Sequence, residues 1–119
     1  MSDQNGYILT EIWNARSSWL SLPADARLSF FEEKIGPLLM GLLDEGAEIL
    51  ACAVNDNTGS ERMEYRYMAV WRLPNKAFSD RLEAAAKEAG FLEYFDQVNF
   101  SGTFITPDVM NADMIQLTL

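Results

Sequence analysis

The stretch EYRYMAVWRL, Glu64 to Leu73, decides the fold. Its residues alternate with the period of a β-strand. Tyr65, Tyr67, Ala69 and Trp71 form one parity, and Arg66, Met68, Val70 and Arg72 the other. A strand beside helices needs one apolar face. Here Met68 and Val70 are expected to meet the helices, which leaves the aromatic parity facing away from them and in need of other cover.

Working outward, LPN stops this strand, and Asn75 is the expected N-cap of a helix carrying Phe78, Leu82, Ala85, Ala86 and Ala89 inward, closed by Gly90. FLEYFDQ reads as a tight turn with aromatic anchors, and VNFSGTFI, Val98–Ile105, as the last strand. Upstream, AEILACAVN, Ala47–Asn55, is a strand joined to the opening stretch by the turn DNTGSER. Its Asp56, Thr58, Ser60 spacing lacks the sixth-place glycine and the closing glutamate of a calcium loop, so a plain hairpin turn is expected. Before it, Leu28, Phe31, Ile35, Leu38, Leu39 and Leu42 recur at helical spacing, with Ser21 as expected N-cap, Pro23 in the first turn and Gly46 past the end. Gly36-Pro37 breaks the stripe, because Pro37 cannot donate to the carbonyl of Glu33, and predicts a kink. NARSSWLSL reads as a polar loop around Trp19, and GYILTEIW, Gly6–Trp13, as the first strand. The order β-α-β-β-α-β is the split pattern of an α+β, ferredoxin-like sandwich: a four-stranded antiparallel sheet with two helices on one face. It forms a single domain with a core over about residues 6–105 and a tail over 106–119.

Composition removes whole classes of function. Hydrophobic residues at 49% with 23% charged ones make a globular chain rather than a disordered one. Nine basic residues against eighteen acidic ones leave a net charge of −9, which repels nucleic acid and anionic membrane surfaces. No apolar run approaches the roughly 20 residues of a membrane span, and MSDQNGY has no leader features, so the cytoplasm is the expected compartment. The Asn99-Phe100-Ser101 sequon is then chance. The chain contains no histidine and one cysteine. That removes imidazole metal sites, Ser–His–Asp chemistry, internal disulfides and thiolate metal clusters, and leaves Cys52 expected as a small buried strand residue. No cofactor is expected, since glycine-rich phosphate loops are absent as well.

If the helices take Val98, Phe100 and Phe104 of the last strand, then Asn99, Ser101, Thr103 and Ile105 join the aromatic parity on the open face. The first strand is ambiguous between Ile8, Thr10, Ile12 and Tyr7, Leu9, Glu11, Trp13. Either choice leaves more apolar surface than a monomer exposes. A second copy would cover it face to face, with a space between the sheets. The aromatics then either glue a homodimer or line a small-molecule site with inward Thr10, Trp13, Tyr65, Tyr67, Trp71, Asn99, Ser101 and Thr103. Glu11 is either a base with a raised pKa or the partner of Arg66 or Arg72. The readings that follow are a binding protein for a partly aromatic molecule, a cofactor-independent oxygenase or isomerase, and a structural dimerisation module.

The element order, YMAVWRLP, NKAFSDRLEAAAKEAGF and YFDQVNFSG together resemble the dimeric α/β-barrel superfamily over about residues 6–105, nearest to small uncharacterised bacterial proteins. More distant are the cofactor-independent monooxygenases of antibiotic biosynthesis, whose inward strand-three tryptophan Trp71 matches by position. That likeness implies Trp71 as a candidate catalytic residue, and the residues themselves add Tyr67 and, as base, Glu11. The superfamily's haem degraders place a histidine on the second helix, and its peroxidases need a haem histidine. Lys76 to Ala89 holds none, so the resemblance does not extend to haem.

Overall fold

The computed structural model describes residues 6–118. Met1 to Asn5, within the stretch read as lacking a leader, and Leu119 of the apolar tail lie outside them. Four strands form one antiparallel sheet: β1 (Tyr7–Ala15), β2 (Glu48–Val54), β3 (Tyr67–Leu73) and β4 (Phe95–Thr103). Their spatial order is β2-β3-β1-β4, with β1 and β3 central. This is the ferredoxin-like α+β arrangement expected from the element order. Between the strands lie α1 (Ser17–Leu20), α2 (Ala24–Phe30), a π-helical turn (Phe31–Ile35), α3 (Gly36–Asp44), α4 (Lys76–Glu88) and α5 (Phe91–Tyr94), with α6 (Pro107–Ile115) last. No helix among the described residues is long and apolar enough to cross a membrane.

The helices cover the parity opposite to the one expected. Leu9 stands opposite Trp71, Glu11 opposite Ala69, and Trp13 opposite Tyr67. Leu9, Trp71 and Leu73 are 0%, 2% and 1% exposed, packed with Leu42, Phe78 and Leu82 from α3 and α4. Each such side chain contributes about 1.5–3 kcal/mol by leaving water. Met68, Val70, Ile8, Thr10 and Ile12 therefore lie on the uncovered face, and Phe100, expected beneath the helices, is 71% exposed there. The arginines explain the inversion. Arg72 shares the parity of Met68 and Val70, and on the open face it lies over the Phe104 ring and 3.7 Å from Glu48. Under the helices that charge would have to leave water, which is costly.

Local expectations fare unevenly. Asn75 caps α4 by accepting the Phe78 amide at 2.8 Å, and Gly46 and Gly90 end their helices at φ of +113° and +95°. The kink at Pro37 takes the form of the π turn: the Gly36 amide reaches back to the Phe31 carbonyl, five residues away. Ser21 does not cap the first long helix. Just past the end of α1, its hydroxyl donates back to the carbonyl of Ser17, and Pro23 precedes α2 without a side-chain cap. The loop expected around Trp19 contains α1, and Trp19 is buried among Phe30, Phe31, Tyr94 and Phe95 beneath Arg27. Cys52 is exposed rather than buried, because β2 is an edge strand that the helices only partly cover.

Candidate functional site

The helix-covered face leaves a gap where Ala69 sits opposite Glu11, since Ala69 has little side chain to fill the space beneath the helices. A cavity of about 240 Å³ opens there between sheet and helices. Trp13, Trp71 and Ala69 form its floor, Leu38, Leu42 and Leu82 its roof. Phe31 and Ile35 enter from the π turn and Phe91 from α5. A π turn shifts side chains off the α-helical stripe, and such turns recur at functional sites. Exposed Ile49 and Cys52 of β2, with half-exposed Phe31, mark the mouth.

Glu11 is the one carboxylate in this apolar lining. One of its oxygens accepts the Trp71 indole N–H at 2.8 Å and the other the Gln97 amide at 2.8 Å. Gln97 also donates to Asn99 Oδ1 at 2.9 Å, and Asn99 donates to Glu83 on α4 at 3.2 Å. Loss of water raises the Glu11 pKa above 4.5, the hydrogen bonds from Trp71 and Gln97 pull it back in part, and the Glu83 charge adds to the rise. Neither salt bridge expected for Glu11 forms: Arg72 pairs with Glu48 on the far face, and Arg66 donates to the Tyr67 hydroxyl at 3.2 Å. On its outer side Glu11 borders a second cleft, lined with Asp80, Glu83, Lys87, Gln97 and Asn99.

The residues expected to meet between two sheets are thus dispersed. Glu11, Trp13 and Trp71 come together in the cavity under the helices, and Tyr67 stacks on Trp13 at 5.9 Å between centroids. Asn99 belongs to the outer cleft. Ser101 accepts the Tyr7 hydroxyl at 3.3 Å, and Thr103 pairs with Tyr7 at the sheet's end. Thr10 lies on the opposite face, beside Val70 and Phe100. Tyr65 falls outside β3, because the Asn14 side chain bonds the Glu64 carbonyl and the Arg66 amide where the ladder would continue. Sequence reading missed Gln97, Phe31 and Phe91. Gln97 was missed because β4 begins three residues earlier than its apolar run suggests.

Residues 6–117 match the model of a family of unknown function, DUF6616. The chain belongs to this family. No curated protein matches this DUF6616 chain. Among solved structures, it is similar to the candidate chlorite dismutase TA0507 at 15% identity and a TM-score of 0.69, with 95% of this chain and 49% of that one covered. It is also similar to a mutant chlorite dismutase from Candidatus Nitrospira defluvii at 12% identity and a TM-score of 0.66, with 92% and 47% covered. The chain spans about half the length of these structures, and at such identities the likeness is one of fold.

Proposed function

We propose that this DUF6616 protein binds a small, mainly apolar molecule between its sheet and its helices, with Glu11 as the polar anchor. The carrying observation is a single desolvated carboxylate set in an aromatic and aliphatic cavity. Such a lining, with few fixed polar groups, is how small-molecule sites are built. At about 240 Å³ the space suits one ring and a short chain, below the roughly 300–1,000 Å³ of drug-sized sites. Filling the space tests the reading. Benzyl alcohol should alter the tryptophan fluorescence of the unaltered protein, and Ala86→Leu, which projects from α4 into the cavity, should abolish the change. Equal responses from both proteins would contradict it.

A catalytic version rests on the raised Glu11 pKa. A carboxyl poised closer to neutrality, touching both the cavity and the outer cleft, suits removal of a proton from a bound substrate. The likeness to cofactor-independent monooxygenases read from Trp71 belongs to this version. Chlorite dismutase chemistry has no support beyond the shared fold.

A second copy of the chain completes the proposal. Ile8, Ile12, Met68, Val70, Val98 and Phe100 make an apolar uncovered face, and a homodimer through it would satisfy that surface. In this arrangement the interface glues the dimer and the ligand lies elsewhere. α6 presents Val109, Met110, Met114 and Ile115 to solvent and has no buried residue, which supports packing of the tail on the partner.

A further inference from the structure

Among the described residues no cation pairs with Glu11. Its oxygens are held by two neutral donors, and the ion pairs among the described residues, made by Arg16, Arg62, Arg72 and Arg81, do not touch it. From α4 it faces Glu83 and Asp80, of its own sign, with Lys87 on the outer cleft. β3 and β4 offer it only the neutral Trp71, Ala69, Gln97 and Asn99. The cavity lining itself includes no basic residue.

Charge ranks the ligands such a site can take. An anion would meet Glu11 with no counter-charge in the lining, after approaching a chain of net charge −9. A neutral apolar molecule gains contact but shields the carboxylate from water without offering it a donor. A cation with N–H donors answers that carboxylate, and the aromatic lining of Trp13, Phe31, Trp71 and Phe91 attracts positive charge.

We propose that the cavity is selective for a small hydrophobic organic cation of the arylalkylamine class, its ammonium donating to Glu11 and its ring lying among Trp13, Phe31, Trp71 and Phe91. This rests on the cavity being a ligand site. The ammonium stabilises the ionised carboxylate, so binding releases a proton wherever free Glu11 is protonated. Affinity then rises with pH through the Glu11 titration and levels off until the amine loses its own proton near about pH 10.

Calorimetric titration of the full chain with 2-phenylethylamine, 2-phenylethanol and phenylacetate at pH 8 tests the proposal, in the unaltered protein and in Glu11→Gln. The amine should bind at least about tenfold tighter than the alcohol, and phenylacetate weakest. Glu11→Gln should cost the amine about tenfold or more, and cost the alcohol, which loses only a neutral donor's bond to the same anchor, distinctly less than the amine. In the unaltered protein, amine affinity should fall as pH is lowered from 8 to 5. That series decides the matter alone if circular dichroism shows Glu11→Gln unfolded. An alcohol or acid bound as tightly as the amine, or a flat pH series, overturns the cation assignment while leaving the cavity a ligand site. Failure of all three probes to bind overturns both.

Discussion

The Trp71 indole donates a 2.8 Å hydrogen bond to Glu11 from the neighbouring central strand, so a buried core tryptophan also holds the desolvated carboxylate. Trp71→Phe keeps an aromatic ring in the core and removes the donor. The Glu11 pKa should rise further above its ordinary value, because a bond that favours the charged form is lost while the burial stays. Carboxyl carbon NMR against pH reads this directly, and an unchanged midpoint would refute it. Trp71→Ala should cost about 3–5 kcal/mol of stability in denaturant melts, as large-to-small core changes do.

Glu11 should make the protein less stable as pH rises. Its folded pKa lies above 4.5, so the folded state holds the proton more tightly than the unfolded chain does. The stabilisation is complete below the unfolded pKa and is lost as pH climbs through the folded one. Glu11→Gln removes this dependence. Plotted against pH, the stability of Glu11→Gln relative to the unaltered protein should improve from about pH 4.5 upward, and a constant difference would contradict the burial argument.

The π turn depends on Gly36. A Cβ there would sit 3.1 Å from the Phe31 carbonyl oxygen, the same atom that accepts the Gly36 amide. Alanine is worth up to about 1 kcal/mol over glycine in a helix. Gly36→Ala should nonetheless lower the melting temperature, because this crowding falls on a hydrogen-bonded backbone atom. A stabilised variant would show that the turn yields freely.

Phe100 is 71% exposed on the uncovered face, where it stands on edge strand β4 opposite Thr10 of β1. Light scattering at micromolar concentration should give about twice the 13.4 kDa chain mass, and Phe100→Asp should halve it. A monomeric unaltered protein would remove the dimer from the account.

The topology was legible because strand period, caps and glycine stops act locally: Asn75, Gly46 and Gly90 each settle one boundary by themselves. Sheet parity was harder, because both faces of EYRYMAVWRL carry large apolar groups. Arg72 held the answer, since a guanidinium on the Met68 parity belongs where its charge can find Glu48 and water. Leu73, 1% exposed, continues the aromatic parity and points the same way. The cavity was out of reach of sequence. It arises where Ala69, the π turn and α5 meet, from segments far apart in the chain whose spacing only packing determines.

The central claim is that ligands enter the space under the helices rather than the uncovered face of the sheet. Methyl-labelled NMR with benzyl alcohol as the probe tests it most directly. The account predicts saturable shifts at Ile35, Leu38, Leu42 and Leu82, whose methyls surround Glu11 and Trp71. Shifts confined to Ile8, Ile12, Val70 and Val98, with the cavity methyls silent, would contradict it.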